Sequence, residues 1–136
     1  MSDIKDLKSL GEGSTKYSYT KPDPTLLETF KNEHPDTNCR IVITAPEFTS
    51  LCPKTGQPDF ATIIVEYTPQ KLCIESKSFK LYLGSYRMHG EFHEDCTCRI
   101  LKDLRNVLDP LWIKVKGDFK PRGGISFVPV AEWMSD

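Results

Sequence analysis

Residues 75–82 read Glu-Ser-Lys-Ser-Phe-Lys-Leu-Tyr and mark the point where a strand pattern gives way to a helical one. The i, i+3, i+4, i+7 spacing of a helix with one buried face is met by Phe79, Tyr82, Leu83 and Tyr86. The first turn of such a helix has unpaired N–H groups, which together with nearby hydroxyls and lysines make a seat for phosphates. An ordinary capped amphipathic helix with solvated lysines is the alternative, and periodicity alone favours it.

The chain has 136 residues, the length of one domain with a real core. Its hydrophobic content of 38% and charged content of 27% are typical of globular proteins. The net charge of −1 provides no general field for holding a nucleic acid, so any basic site must be local. A nucleotide cofactor therefore fits this chain better than a nucleic-acid partner.

No apolar run approaches the length of a membrane helix, and residues 1–11 are polar and mixed in charge, unlike a signal peptide. We therefore expect a cytoplasmic protein without a membrane partner. The five cysteines are an odd number without the spacing of a small secreted domain, which predicts free thiols.

The chain divides into a flexible N-terminal arm over residues 1–22, with aromatic anchors at Tyr17 and Tyr19, and a single domain over residues 23–136. A glycine-rich stretch at residues 11–16 lacks the third glycine and the preceding strand of a dinucleotide fingerprint. Asp23 followed by proline predicts a capped helix over about residues 25–32.

The remaining pattern predicts an α+β domain, in which an antiparallel sheet has two helices packed on one face. The predicted strands are residues 40–45, 60–67, 71–74, 111–116 and 125–130, the helices are 77–88 and 92–108, and residues 46–59 form a structured loop. A sheet of this kind has open edges, which neighbouring copies commonly cover, so we expect a homo-oligomer.

Three motifs in this order give the chain a specific resemblance. Residues 75–82 fit all eight positions of the signature E-(S/L)-K-(S/A)-hydrophobic-K-(L/Y)-(Y/F/W) of the QueF family, the NADPH-dependent 7-cyano-7-deazaguanine reductases. Ser-Leu-Cys-Pro at residues 50–53, with Asp59, lies upstream, and Phe-His-Glu at residues 92–94 lies downstream. The chain thus resembles this family over roughly residues 25–130.

The resemblance implies the tunnelling fold (T-fold), whose protomers join edge to edge into a ring-shaped barrel, for example a decamer of two pentamers. It also implies a nitrile reduction in queuosine tRNA modification. There, 7-cyano-7-deazaguanine becomes 7-aminomethyl-7-deazaguanine at the expense of two NADPH, through a cysteine thioimide. The expected partner is this small molecule, and no direct contact with nucleic acid is expected.

Cys52 is the candidate nucleophile, because a thiol in a proline-bounded loop with a lysine nearby can be partly exposed and have a lowered pKa. The residues alone leave open a loop thiol that only packs. By resemblance, Cys52 attacks the nitrile carbon, Asp59 donates a proton, and His93 assists proton delivery. A turn-forming aspartate and a surface histidine are the alternatives for the latter two residues.

Two carboxylates are the candidates for substrate binding. By resemblance, Glu94 accepts hydrogen bonds from the amino and ring N–H groups of the deazaguanine, and Glu75 is a second candidate. A carboxylate that only stabilises a helix N-terminus is the alternative.

The candidate cofactor residues are Ser76, Lys77 and Lys80, which would hold the NADPH phosphates. Arg122, in an Arg-Gly-Gly sequence, is a weaker candidate from the same or a neighbouring subunit, and a plain hairpin turn is its alternative. The sequence contains no βαβ unit of a dinucleotide-binding fold.

Two other functions compete with the reductase. His93, Cys96 and Cys98 are potential zinc ligands, so a zinc-dependent hydrolase of the GTP cyclohydrolase type, which shares the tunnelling fold, is one of them. On a helix, however, Cys98 points about 140° away from His93, and we expect no metal. A non-catalytic purine-binding ring is the other. Cys96 lies on nearly the same helix face as His93, which suggests a regulatory disulfide with Cys52.

Overall fold

The computed structural model describes residues 17–136, which form two antiparallel sheets and two helices. The strands are β1 (Thr29–Lys31), β2 (Ile41–Leu51), β3 (Pro58–Thr68), β4 (Leu72–Ile74), β5 (Trp112–Arg122), β6 (Ile125–Phe127) and β7 (Val130–Met134). The helices are α1 (Ser76–Gly84) and α2 (His93–Leu108), and a short 3₁₀ helix spans Pro24–Leu26. The main sheet has the order β2-β3-β5, with β6 and β7 both pairing with β5, and β1 pairs with β4.

The core lies between one face of the main sheet and the two helices. Alternate residues of β3 and β5 point to this face, and pairs such as Val65 and Val115 lie opposite each other and are fully buried. They join one hydrophobic cluster with Ile100 and Leu104 of α2. The four residues predicted for the buried face of the first helix, Phe79, Tyr82, Leu83 and Tyr86, are all buried. The predicted extent of this helix, residues 77–88, is wrong, because α1 ends at Gly84 and Tyr86 lies in the turn that follows.

The predicted loop over residues 46–59 is wrong, because β2 continues to Leu51 and β3 begins at Pro58. The register shifts between Ala45 and Phe48, so that three steps along β2 match two along β3. This β-bulge accommodates Pro46, a residue that lacks an N–H and is tolerated in edge strands and at bulges. The proline therefore marks a bulge and not the end of the strand.

Two predictions near the chain ends also need correction. The predicted helix over residues 25–32 is wrong: the Asp23 side chain does accept from Thr25 N at 3.1 Å, but the helix stops after one turn. Residues 29–31 instead pair with β4, so tertiary pairing overrides the helical pattern. The predicted last strand, residues 125–130, is interrupted at Pro129, and β6 and β7 pair separately with β5.

Most of the predicted arm lies outside the described residues, including the glycine-rich stretch at residues 11–16. In the part that is described, the Tyr17 and Tyr19 rings stack with their centroids 5.9 Å apart. The carbonyl of Tyr19 accepts a hydrogen bond from Met88 N at 2.6 Å. No helix within residues 17–136 is long and apolar enough to cross a membrane.

Gly117 allows β5 to pack closely against α2, and this contact predicts a stability effect. A Cβ at this position would lie 2.5 Å from Thr97 Oγ1 and 2.9 Å from the Phe119 ring. We expect Gly117→Ala to lower the free energy of unfolding by about 1–3 kcal/mol through overpacking, measured by urea denaturation. Gly84→Ala is the control, since its Cβ would meet only a Tyr19 ring carbon at 4.0 Å. Equal stability of the two variants would contradict this account.

Candidate active site

The β2–β3 hairpin brings Cys52 and Asp59 together. Ser50 pairs with Asp59 in the strand register, and Cys52 follows at the start of the turn. The turn is closed by two hydrogen bonds, from Cys52 N to Gln57 O and from Gly56 N to Cys52 O, each 2.9 Å long. The thiol and the carboxylate therefore sit on the two sides of one short, hydrogen-bonded turn.

Asp59 is 5% exposed and is contacted by two basic side chains from other elements. Arg122, the last residue of β5, donates from Nε to Asp59 Oδ1 at 2.8 Å, and its Nη2 also contacts Oδ1. His93, the first residue of α2, places Nε2 3.2 Å from Asp59 Oδ2. Three elements thus meet at one buried carboxylate.

The two oxygens of the Asp59 carboxylate differ in their hydrogen bonding. Oδ1 is occupied by Arg122, whereas Oδ2 is buried and has no hydrogen-bond partner among residues 17–136. The contact with His93 is short enough for an ion pair, but its angles do not meet the criteria for a hydrogen bond. A buried unsatisfied oxygen is costly, so it suggests a partner supplied by a ligand.

The imidazole of His93 is held by aromatic packing. Its ring stacks on Phe119 with centroids 3.9 Å apart and planes 7° apart, and Phe127 meets it edge-on at 5.8 Å. Thr97 Oγ1 donates to the carbonyl of His93 at 2.9 Å. The ring therefore has little freedom to rotate away from Asp59.

These groups line a cavity of about 440 Å³. Its walls are formed by Cys52, Pro53, Asp59, Glu91, Phe92, His93, Glu94, Lys120, Arg122, Ile125 and Phe127. Three apolar side chains at the cavity are largely exposed, namely Phe92, Ile125 and Phe127. The volume suits a small heterocycle, and the exposed apolar residues offer flat surfaces to its faces.

The thiol of Cys52 is prepared to ionise, since its pKa is lowered to about 6. The largest cause is a hydrogen bond from the Thr55 side chain, followed by the backbone N–H groups of Thr55 and Lys54. Burial opposes the shift, and the side chain of Arg122 adds to it. A thiolate near neutral pH is the reactive form of cysteine.

The two candidate substrate carboxylates are separated. Glu94 is exposed and lines the Cys52 cavity, whereas Glu75 is the N-cap of α1 and does not line it. Glu75 accepts from Lys77 N at 2.8 Å and from Ser78 N at 2.7 Å, and these backbone bonds lower its pKa. Two of the N–H groups that we expected to bind phosphate, those of Lys77 and Ser78, are thus already capped, which corrects the helix-terminus seat predicted from the sequence.

The candidate cofactor residues are also divided. Ser76 and Lys80 line a second cavity, of about 480 Å³, which Tyr17, Tyr19 and Arg87 also line. Lys77 is exposed but does not line this cavity, and Arg122 belongs to the Cys52 cavity. Within one chain, the structure does not bring Arg122 together with the lysines.

Of the three potential zinc ligands, His93 lines the cavity, Cys96 is fully buried in the core, and Cys98 is exposed. Residues 17–136 contain no group of three His, Cys, Asp or Glu side chains placed to hold a metal. All five cysteines are free in the structure. Burial raises the pKa of Cys96, and its disulfide with Cys52 stays a prediction.

Sequence reasoning missed several residues of the site. Thr55 lies three residues after Cys52, where its hydroxyl turns back toward the thiol, and only the closed turn reveals this. Glu91 lines the cavity and is bound by Arg99 of α2. Its sequence signal was a carboxylate beside the Phe-His-Glu motif, but nothing in the pattern showed that it would be buried.

The comparisons with known proteins point to one family. A family model described as QueF-like protein matches residues 58–136. The NADPH-dependent 7-cyano-7-deazaguanine reductase of Bacillus cytotoxicus is 53% identical over 131 residues, which cover 96% of this chain and 79% of that protein. The protein of the same name from Bacillus mycoides is 52% identical, with the same coverage.

A solved structure supports the fold. The archaeosine synthase QueF-Like in the apo form aligns with a TM-score of 0.66 and 24% identity, over 71% of this chain and 94% of that one. The predicted fold class, an α+β domain of the tunnelling-fold type, is thereby confirmed. With a family match over more than half of its length and relatives at 53% and 52% identity, this chain belongs to the QueF family.

Proposed function

We propose that this protein is an NADPH-dependent nitrile reductase that converts 7-cyano-7-deazaguanine to 7-aminomethyl-7-deazaguanine in queuosine tRNA modification. The observation that carries the proposal is the placement of Cys52, Asp59 and His93 around one cavity, with the pKa of the thiol lowered to about 6. The names of the two Bacillus relatives supply the substrate and the cofactor.

In the first step, the thiolate of Cys52 attacks the nitrile carbon. A C–S bond forms, one π bond of the nitrile breaks, and the nitrogen takes up a proton, which leaves a thioimide on Cys52. Asp59 Oδ2 and His93 Nε2, 3.2 Å apart, are the groups placed to hold and deliver this proton. Arg122 is bound to the other carboxylate oxygen, Oδ1, so that only Oδ2 is available for proton transfer.

Substrate binding falls to Glu94 and the aromatic residues. The carboxylate of Glu94 accepts hydrogen bonds from the amino and ring N–H groups of the deazaguanine, and Phe92 and Phe127 cover the faces of the ring. Glu75 is occupied as a helix cap in its own chain, so we place it in the support of α1 and not in direct contact with substrate.

The residues of the second cavity fit NADPH. Lys80 and Arg87 supply positive charge for phosphates, Ser76 supplies a hydroxyl, and two tyrosine rings supply surfaces for stacking. Lys77 on the same helix is a further phosphate ligand in this proposal. NADPH would supply the hydrides for reduction of the nitrile carbon. Arg122 is engaged with Asp59, so we assign it to the cysteine cavity and not to the phosphates.

The proposed homo-oligomeric ring is supported by the separation of the cofactor residues from Cys52 within one chain. The lysine-bearing helix and Cys52 line different cavities of one chain, so a neighbouring copy is needed to bring a cofactor site to the thiol. Edge strands β2 and β7 expose apolar side chains, including Val42, Val130 and Met134, which a neighbour would cover. A decamer of two pentamers is the assembly that we propose.

The free cysteines suit a reducing compartment, so we propose a cytoplasmic location, without a direct nucleic-acid or membrane partner. The zinc-dependent hydrolase and the non-catalytic purine-binding ring gain no support from the relatives' names, which describe a reductase. Nitrile-dependent oxidation of NADPH by the purified protein is the direct test of the proposal.

Covalent attachment to Cys52 can be observed without turnover. With 7-cyano-7-deazaguanine and no NADPH, intact mass spectrometry should show the mass of one substrate added per chain. Cys52→Ala should show none, and Cys98→Ala, which removes an exposed thiol, should react like wild type. An adduct that persists in Cys52→Ala would place the nucleophile elsewhere.

Thr55→Val should weaken the nucleophile, because the hydroxyl of Thr55 is the largest cause of the lowered pKa of Cys52. A lowered pKa keeps the thiolate populated above about pH 6, so loss of the bond should move the pH midpoint of Cys52 alkylation upward. Iodoacetamide alkylation followed by peptide mass spectrometry gives this midpoint. The exposed Thr37→Val is the control, and an unchanged midpoint in Thr55→Val would remove Thr55 from the site.

Lys80→Ala should weaken cofactor binding. A charge-assisted bond to phosphate contributes roughly 1.5–3 kcal/mol, so the KM for NADPH should rise about ten-fold or more while the KM for the nitrile changes little. The exposed Lys102 on α2 provides a matched control, Lys102→Ala. If neither Lys80→Ala nor Lys77→Ala alters the cofactor kinetics, residues 75–82 have a structural role only.

A further inference from the structure

Residues 89–91, which we call the strap, link the turn after α1 to α2 and run beside the end of β2. Leu51 N donates to His89 O at 2.9 Å, and Glu91 N donates to Leu51 O at 3.0 Å. These bonds form an isolated parallel bridge between Leu51 and Gly90. The strap therefore holds Leu51, the residue immediately before Cys52, through both its N–H and its carbonyl group.

The strap also contacts the residue after Cys52. A Cβ added to Gly90 would lie 3.1 Å from Pro53 Cα and 3.7 Å from Pro53 N. A side chain at this position would require the Pro53 backbone to move by a few tenths of an ångström, and glycine avoids this shift. Hydrogen bonds at Leu51 and packing at Pro53 thus fix the two neighbours of the thiol.

An ion pair between the buried carboxylate of Glu91 and the half-exposed side chain of Arg99 anchors the strap to α2. The side chain of Glu91 is 10% exposed and accepts from Arg99 Nη2 at 2.7 Å and from Arg99 Nε at 3.0 and 3.1 Å. His89 Nε2 lies 3.4 Å from Glu91 Oε1 and is buried without a hydrogen-bond partner in residues 17–136. A buried carboxylate needs such a partner, so the pair fixes where the strap can lie.

We propose that Glu91 and Arg99 are positioning residues, which act through the strap to hold Cys52 in its reactive place. The importance of this positioning for nitrile reduction rests on the proposed function, in which Cys52 is the nucleophile. The positioning itself does not, because it concerns the reactivity of the thiol alone. Neither residue needs to contact the substrate for this role.

The physical consequence follows from the turn that contains Cys52. Its sulfur relies on hydrogen bonds from Thr55 and from backbone N–H groups in residues 52–57, and these bonds depend on the position of the Cys52 backbone. When the strap shifts, the turn loses its support and the bonds to sulfur lengthen. Small displacements of a reacting group are known to cost about a hundred-fold in rate, so a measurable loss is expected.

The experiment compares Glu91→Ala, Gly90→Ala and the double variant in a background of Cys39→Ser and Cys98→Ser, which removes the exposed thiols. The rate of alkylation of Cys52 by iodoacetamide is measured from pH 5 to 9 by peptide mass spectrometry. Asp95→Ala removes an exposed carboxylate from the first turn of α2, close to Glu91 in the sequence, and is the matched control.

We expect Glu91→Ala and Gly90→Ala each to slow alkylation at pH 7 by about ten-fold and to move its pH midpoint upward. Because both act through one strap, the double variant should be no slower than the slower single variant. Asp95→Ala should match the parent. A merely structural role would lower the melting temperature without moving the pH midpoint.

The proposal would be overturned if folded Glu91→Ala and Gly90→Ala had the same alkylation rate and the same pH midpoint as the parent. It would also be overturned if the double variant lost as much rate as the two single variants lose together. If Glu91→Ala does not fold, Gly90→Ala alone decides, because it leaves the Glu91–Arg99 ion pair in place. Alkylation uses neither nitrile nor NADPH. A protein without reductase activity would therefore still test the strap, and the two proposals can fail separately.

Discussion

The carboxylate of Asp59 is the point on which the site depends. It is buried at the start of β3, and a buried charge is tolerated only when it is paired. Arg122 reaches it from the end of β5 and His93 from the start of α2, so one residue connects the sheet to the helix layer. The positions of these two groups are set by the β3–β5 register and by the packing of His93 on Phe119.

The register of the β2–β3 hairpin is the second feature that sets the geometry of the site, because it places Cys52 near Asp59. With Ser50 opposite Asp59, the strands end so that Cys52 lies in the closing turn, next to the carboxylate. The β-bulge near Pro46 sets this register, because it inserts one extra residue into β2. Without the bulge, the alternation of side chains beyond it would be reversed, and Phe48 would leave the core.

Much of this could be predicted from the sequence. Periodicity identified the buried face of α1 and the extent of α2, and the three motifs indicated the family and the candidate cavity residues Cys52, Asp59 and His93. Local pattern could not show that Pro46 lies in a bulge or that residues 29–31 pair with β4, and it left open whether Glu75 binds substrate or caps its own helix. These features depend on pairing between distant segments or on one side-chain rotamer, and no short window of sequence contains them.

The two cavities differ in charge, and this difference suits them to ligands of different chemistry. Around Cys52, three carboxylates, Asp59, Glu91 and Glu94, face the cavity with Lys120 and Arg122, and Arg122 is already bound to Asp59. Such a surface favours a neutral heterocycle rich in N–H donors and disfavours a phosphate. The other cavity combines Lys80 and Arg87 with a single carboxylate, Glu47, and favours an anion. Because the chain keeps these two chemistries on separate surfaces, the dinucleotide and the base would not compete for the same groups under the proposed function. In the reductase that we propose, an edge-to-edge assembly of copies brings the two surfaces together.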